Sequence, residues 1–188
     1  MDRIFPPGKN VVGAQAVPGL KIGVSACLLG NKVRYDGGHK LEPWLLEALG
    51  LHVTYVPVCP EVECGLCIPR EPMVLVGERD NPRLLTLNTG IDLSKQIWDW
   101  VEKRIAELAS EGLSGFVFKS KSPSCGLRNV ELFPRLGGTC SKNGMGIFAA
   151  AFLKAFPQLP VIDEIQLSEP EARENFLRAL GLDFSKNR

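Results

Sequence analysis

We predict an α/β fold for this chain: one Rossmann-like domain with a mostly parallel sheet flanked by helices. Short apolar runs rich in β-branched residues, at 20–26, 52–58 and 114–118, alternate with longer segments of helical periodicity. The 188 residues suit one domain, and we find no internal repeat, low-complexity tract or second-domain boundary. We therefore predict an irregular, Gly- and Pro-rich arm at residues 1–19 and a single domain at 20–188.

The first half of the chain predicts two strands around a helix, followed by shorter extended pieces. The run at 20–26 is bounded by turn signals, as is typical of a buried strand. Pro43 at a first-turn position and Gly50 beyond the end predict the helix that precedes the second strand. The segments MVLVG and LLTLN predict two extended pieces around a turn at Asn81 and Pro82.

The second half contains the clearest helix, at residues 92–111. Apolar side chains recur there at helical spacing, and Gly112 follows the last of them. The periodic positions are Leu93, Ile97, Val101, Ile105 and Leu108. The third strand comes next, followed by an apolar helix at 145–156, a short strand in PVID and a final helix at 169–180.

Composition and charge give no signal for a nucleic-acid or membrane partner, although nucleic acid is not excluded as a substrate. The net charge is +1, and no basic stripe indicates a nucleic-acid-binding surface. No apolar run approaches the ~18 residues that a membrane helix needs. The N-terminal sequence lacks the continuous apolar stretch of a secretory signal. We therefore expect a cytoplasmic protein, whose six cysteines serve as ligands, catalytic groups or core residues instead of disulfides.

Three cysteines carry the main functional prediction. Cys27 in VSACLLG and Cys59 in VPVCPE each end an apolar run, and Cys125 in KSKSPSCG follows the third strand after a short polar stretch. If the three strands are neighbours, their carboxyl ends bring three thiolates to one point. Such a set indicates a metal or iron–sulfur centre with an open position. A zinc site, a cluster and three buried core cysteines remain alternatives at this point.

The remaining cysteines give weaker signals. Cys64 and Cys67 form a C-x-x-C pair, which is typical of zinc sites, redox dithiols and clusters, and which could supply a ligand in place of Cys59. There is no second C-x-x-C for a zinc ribbon, and the nearby glycine and proline disfavour a thioredoxin-like helix start. Cys140 in GGTCSKNG is interpreted as a loop cysteine.

Polar groups beside the cysteines suggest catalytic roles. Glu61, two residues after Cys59, can act as an acid or base if it is partly buried, or it can simply cap nearby amides. Ser122 and Ser124 bracket a proline before Cys125. Their hydroxyls can bind substrate or cluster sulfur, or they can only shape the turn.

Several cations lie near the three motifs in sequence. Arg34 follows the first cysteine loop and Arg70 lies in a proline-flanked loop, so both can approach the same face of the sheet. Lys119 and Lys121 flank the third motif and can supply positive charge to an anionic cluster. Solvated surface side chains are the alternative for each of them.

At the level of whole motifs, the chain resembles the bacterial family of thiouracil desulfidases. The segments that carry the resemblance are VSACLLGNKVRYDGGHK, VPVCPEVECGLCIPREP, KSKSPSCG, GMGIFAAAFLK and PVIDEIQL, in this order. They cover about residues 20–168, and the three cysteine motifs are highly specific together.

The resemblance implies a cytoplasmic enzyme with a 4Fe-4S cluster on Cys27, Cys59 and Cys125. The fourth iron would be free to take the sulfur of a thiolated pyrimidine. Water would then replace the sulfur, giving uracil or uridine and hydrosulfide with no net redox change. By the same resemblance, Glu61 would activate water or shuttle a proton, and Ser122 or Ser124 would position the substrate or assist proton transfer.

Other functions remain compatible with the sequence. One is a non-catalytic iron–sulfur or zinc-binding sensor, and another is a sulfur-carrier enzyme that uses Cys64 and Cys67. A plain α/β protein with core cysteines is the third. The sequence leaves open whether the substrate is a base, a nucleoside or a nucleotide, and it leaves open the oligomeric state.

Overall fold

A computed structural model describes residues 19–182 of the chain. Its strands are, in chain order, β1 (Lys21–Ser25), β2 (Thr54–Val58), β3 (Met73–Glu78), β4 (Asn81–Thr86), β5 (Leu113–Phe118), β6 (Val130–Phe133), β7 (Ser141–Gly144) and β8 (Val161–Asp163). Its α-helices are α1 (Pro43–Glu47), α2 (Pro60–Glu63), α3 (Ser94–Glu111), α4 (Ile147–Ala155), α5 (Glu164–Leu167) and α6 (Pro170–Ala179). None of these helices is both long and apolar enough to cross a membrane.

The strands form two four-stranded sheets. The first is parallel, in the order β2-β1-β5-β8, and the second is mixed, in the order β4-β3-β6-β7. In the parallel sheet, β1 has β2 on one side and β5 on the other. The carboxyl ends of these three strands therefore lie side by side at one edge of the sheet. Such a switch point leaves a crevice beyond the strand ends, where parallel sheets bind their ligands.

The parallel sheet carries a separate apolar layer on each face. On one face, Ile22 and Val24 of β1 pack in a cluster with Leu45 of α1 and Phe176 of α6. Side chains alternate between faces along a strand, so β5 contributes Val117 to this layer and its neighbours to the other.

The second layer is dominated by phenylalanine rings. Phe116 and Phe118 of β5 lie 4.1 Å apart between ring centroids, and both contact Phe148 and Phe152 of α4. Each fully buried ring contributes about 1.5–3 kcal/mol to folding. Gly23 permits this packing, because a β-carbon there would lie 2.2 Å from the Phe116 ring. Side chains of α3 and of the second sheet complete the layer: Ile97, Val101, Leu108, Leu75, Leu84 and Leu132.

The predicted fold class is confirmed: the domain is α/β, with a parallel sheet flanked by helices. The second sheet, with β6 and β7, was not predicted. The turn predicted at Asn81 and Pro82 is wrong, because it lies at Arg79 and Asp80, and Pro82 is paired within β4 with Gly77. β4 is an edge strand, where the missing N–H of a proline is tolerated.

The predicted N-terminal arm at 1–19 lies outside the described residues except for Gly19, and residues 183–188 lie outside them as well.

Candidate functional site

Three cysteines meet beyond the carboxyl ends of neighbouring strands. Cys27 lies in a 3₁₀ turn directly after β1, and Cys59 follows β2 as the N-cap of α2. Cys125 lies in the loop after β5. Because β1 lies between β2 and β5, the three loops surround one cavity of about 360 Å³, which all three cysteines line together with Glu61 and Ser122.

Burial sets the electrostatics of these thiols. Cys27, Cys59 and Cys125 are 8%, 8% and 5% exposed. Burial raises the pKa of Cys27 to about 11, although the charges of Lys119 and Arg34 oppose the shift. It raises the pKa of Cys59 to about 12 and that of Cys125 well above its ordinary value.

The three thiols also act on one another. Charge on Cys27 raises the pKa of Cys59, and charge on either of them raises the pKa of Cys125. The thiols are therefore close enough to interact, and they stay protonated at neutral pH until a cation offsets their charge. A positively charged, sulfur-preferring group that bound to these thiols would release their protons.

Glu61 is held in place by side chains from two other segments. Its Oε2 accepts hydrogen bonds from Nε and Nη2 of Arg70, the former at 3.0 Å, and its Oε1 accepts one from Oγ of Ser124 at 3.0 Å. The side chains of Arg70 and Glu61 are 6% and 14% exposed, so this ion pair is largely shielded from water.

Arg70 also connects the first cysteine loop to the pair. Its Nη2 donates to the carbonyl of Val33 at 2.9 Å, and its backbone N–H donates to the carbonyl of Tyr35 at 2.8 Å. The sequence suggested that Arg70 can reach this face of the sheet, but not that it contacts Glu61. The proline-flanked loop was the available signal, and it did not specify a partner.

The two serines of the third motif have different environments. Ser124 is fully buried, and its hydroxyl donates to Glu61. Ser122 lines the cavity, and its Oγ accepts the backbone N–H groups of Ser124 at 3.2 Å and Cys125 at 3.1 Å. Ser122 therefore shapes the turn that presents Cys125, in addition to facing the cavity.

The first turn of helix α4 packs against the loop that carries Cys125. The backbone N–H groups of Ile147 and Phe148 donate to the carbonyls of Pro123 and Ser124 at 3.1 and 2.9 Å. Gly146 lies against the loop so closely that a β-carbon would be 2.5 Å from the Ser124 carbonyl. First-turn amides of the helix thus find their acceptors in the loop that carries Cys125.

A second acidic residue, not predicted from the sequence, fixes the Cys59 loop. Oε1 of Glu63 accepts a hydrogen bond from the backbone N–H of Cys59 at 2.7 Å, and Nε of Arg104 in α3 lies 3.3 Å from Oε2 of Glu63. Burial raises the pKa of Glu63, although the Cys59 amide and the Arg104 charge oppose the shift. Glu63 is four residues after the N-cap, one more than the capping box requires, so that pattern did not indicate this contact.

The other three cysteines do not line the cavity. Cys64 follows α2 and donates its S–H to the carbonyl of Glu61 at 3.3 Å, whereas Cys67 is exposed. Cys140 is half-buried after β6. Cys59, and not a member of the C-x-x-C pair, therefore shares the cavity with Cys27 and Cys125.

Comparisons with known proteins agree with this arrangement. A model of the family described as 2-thiouracil desulfurase matches residues 22–164. The uncharacterized protein YbbK of Bacillus subtilis (strain 168) is 29% identical over 108 residues, which are 55% of this chain and 71% of YbbK. A solved structure of the 4Fe-4S-dependent thiouracil desulfidase TudS has a TM-score of 0.63 and 33% identity, and the match covers 83% of this chain and 98% of TudS.

The family predicted from the cysteine motifs is thereby confirmed. The matched region contains both sheets and the three cysteines that line the cavity. This chain belongs to the 2-thiouracil desulfurase family.

Proposed function

We propose that this protein removes sulfur from thiolated pyrimidines by hydrolysis, with a 4Fe-4S cluster bound to Cys27, Cys59 and Cys125. The observation that carries the proposal is that three cysteines from neighbouring strand ends line one cavity with Glu61. Family membership and the likeness to 4Fe-4S-dependent TudS support the substrate class and the cofactor.

The donor set fits such a cluster. Iron–sulfur clusters are held by thiolates, and the cavity offers three thiols from three separate loops. Within residues 19–182, no group of three or more His, Cys, Asp or Glu side chains is arranged to hold a metal ion. The fit to a cluster therefore rests on the number and chemistry of the thiols that line the cavity.

The reaction is balanced without electron transfer. The thiocarbonyl and water give a carbonyl and hydrogen sulfide, which loses a proton to become hydrosulfide. With three protein ligands, a bound cluster would supply an unligated iron, which is a Lewis acid with affinity for the substrate sulfur. The protein must then orient water towards the ring carbon, accept its proton and exclude bulk solvent.

Glu61 accepts the proton from water in this proposal. A carboxylate has about four lone-pair positions. Arg70 occupies two on Oε2 and Ser124 occupies one on Oε1, which leaves one on Oε1 for the attacking water. The two partners fix the carboxylate plane, so this position is defined before the substrate arrives.

We assign different roles to Ser122 and Ser124. Ser122 lines the cavity, so it is the serine that we assign to contact with the substrate. Ser124 is fully buried and acts through Glu61, which makes it a positioning residue. Six free cysteines fit a reducing compartment, and we propose the cytoplasm.

Anaerobic purification tests the proposal. Iron and sulfide are measured together with the visible spectrum, and thiouracil turnover is followed by the loss of its ultraviolet absorbance. We expect about four irons per chain, and turnover that depends on them. The Cys27→Ser, Cys59→Ser and Cys125→Ser variants should each lose the cluster or activity, whereas the control Cys140→Ser should keep both.

The alternatives give different results. An iron-loaded protein that turns over no thiopyrimidine would indicate a sensor. Loss of activity in Cys64→Ser and Cys67→Ser, with full activity in the three cavity variants, would indicate a sulfur carrier. An iron-free protein that still desulfurates thiouracil would contradict the cluster.

A further inference from the structure

Lys119 is a cavity-lining cation that the proposed reaction leaves without a role. It directly follows β5, and its backbone N–H donates to Oγ of Ser25 at 2.9 Å, two residues before Cys27. This bond ties the end of β5 to the end of β1. The Lys119 side chain is 14% exposed and lines the same cavity as Cys27.

All three protons of its ammonium group are used inside the protein. Nζ donates to Oε1 of Glu164 at 2.6 Å, to the carbonyl of Ser120 at 3.0 Å and to Oγ of Ser120 at 3.2 Å. An ammonium group has three donors and no acceptor. Lys119 therefore has no proton left to donate to a substrate, and it acts there as a fixed positive charge.

Glu164 is anchored as firmly as its partner. Its Oε2 accepts the backbone N–H of Ser120 at 2.7 Å, and its Oε1 accepts Oγ of Ser120 at 2.5 Å. Lys119 lines the cavity, whereas Glu164 is not among the residues that line it. The positive member of the pair is therefore the one that a group in the cavity meets.

Of the other cations at the cavity, Arg70 is paired with Glu61, and Arg34 is held less firmly than Lys119. Arg34 lies 3.5 Å from the half-exposed Asp36, and its guanidinium lies 5.3 Å from the centroid of the neighbouring Tyr35 ring. Lys119 differs because its three acceptors come from two residues that are themselves hydrogen-bonded to each other.

We propose that Lys119, oriented by Glu164 and Ser120, fixes one positive charge at the cavity that the Cys27 ligand also lines. The inference rests on the proposed function. The charge stabilises the added negative charge of a reduced cluster, and it likewise stabilises the negative charge that develops on sulfur as hydrosulfide leaves.

The test is an EPR-monitored redox titration of the cluster-loaded enzyme, combined with steady-state kinetics. Lys119→Gln removes the positive charge and should lower the midpoint potential, with kcat reduced about tenfold and KM little changed. Glu164→Gln removes the opposing negative charge and should raise the midpoint potential. Lys119→Arg keeps the charge and should stay close to the wild type in both measurements.

The two opposite shifts separate an electrostatic role from a structural one. An unchanged or raised potential in Lys119→Gln, or shifts of the same sign in both neutral variants, would overturn the inference. If Lys119→Gln loses its iron, the Glu164→Gln variant decides: an upward shift supports the inference, and any other result overturns it. A wild-type protein without a cluster overturns the proposed function, and this inference with it.

Discussion

The tight contact between Gly146 and the Cys125 loop predicts that Gly146→Ala will damage both stability and the site. An alanine β-carbon would lie 2.5 Å from the carbonyl carbon and oxygen of Ser124 and 2.7 Å from the backbone nitrogen of Cys125. Ordinary contact begins at 3.4 Å, so the loop and the start of α4 must separate by about 0.9 Å. All three obstructing atoms are backbone atoms, which cannot rotate aside.

This separation breaks defined hydrogen bonds. The N–H groups of Ile147 and Phe148 now donate to Pro123 and Ser124 at 3.1 and 2.9 Å, and an added 0.9 Å takes both bonds beyond a useful length. Two lost bonds at ~0.5–1.5 kcal/mol each give about 1–3 kcal/mol. Overpacking in general costs ~1–3 kcal/mol, which agrees. We therefore expect Gly146→Ala to lower the free energy of unfolding by about 2 kcal/mol.

Urea unfolding of the reduced apoprotein, followed by circular dichroism, measures this loss, and iron per chain after reconstitution measures the effect on the site. Gly138→Ala is the matched control. Its β-carbon would lie 3.1 Å from the carbonyl of Arg135 in a loop away from the cavity, so we expect a loss of about 0.5 kcal/mol or less. A Gly146→Ala protein with wild-type stability and iron content would refute the reasoning.

Three further predictions concern side chains in and around the cavity. Arg70→Met removes the donors that hold Oε2 of Glu61, so kcat should fall about tenfold or more at unchanged iron content. An unchanged kcat would contradict the role of Arg70 in positioning Glu61. In the apoprotein at pH 8, iodoacetamide should modify exposed Cys67 before Cys27 and Cys59, as peptide mass spectrometry can measure. The pKa values of about 11 for Cys27 and about 12 for Cys59 leave thiolate fractions of roughly one in a thousand or less at pH 8. Equal modification rates at all three thiols would contradict this environment. Burial alone would raise the pKa of Glu164, but hydrogen bonds from Lys119 and Ser120 lower it below 4.5. The stability that the Glu164 carboxylate contributes is thus present above pH 4.5 and lost as the pH falls through the lowered pKa. The free energy of unfolding of Glu164→Gln should therefore depend less on acid pH than that of the wild type. Parallel pH profiles for the two proteins would count against the prediction.

Segments with strong local patterns could be predicted from the sequence. β1, β2 and β5 are short, mostly apolar runs, and α3 with its N-cap Leu93 has five apolar residues at helical spacing. Their type follows from side-chain periodicity, which is a local property. The convergence of Cys27, Cys59 and Cys125 followed from one further rule, since the carboxyl ends of neighbouring parallel strands lie at one edge.

The second sheet could not be predicted in the same way. β6 has four residues, and β7, with the sequence SKNG, contains no large apolar side chain. β6 becomes a strand because β3, distant in sequence, offers hydrogen bonds, as in the pairing of Leu75 with Leu132, and β7 pairs in turn with β6. Local propensity has little weight in such short segments.

The hydrogen-bond partners of Glu61 also could not be predicted from the sequence. The predicted site contained Glu61, Ser122 and Ser124, but nothing in the spacing distinguished the serine that contacts Glu61 from the one that faces the cavity. That distinction depends on the turn after β5, where Lys121 has a φ of 58° and Ser122 accepts two backbone amides. A side chain's direction in such a turn is a property of three-dimensional packing.

The proposed cluster ligands, the proposed base Glu61 and its partner Ser124 share the same two short segments. The helix α2 segment carries Cys59 as its N-cap and Glu61 in its first turn, and the loop after β5 carries Ser124 beside Cys125. One hydrogen bond, from Ser124 to Glu61, joins these segments across the end of β1. A displacement of either cysteine loop therefore also moves the carboxylate, and under the proposed function this couples cluster retention to proton transfer. Under the proposed function, Ser124→Ala should weaken this coupling while it leaves all three thiols in place.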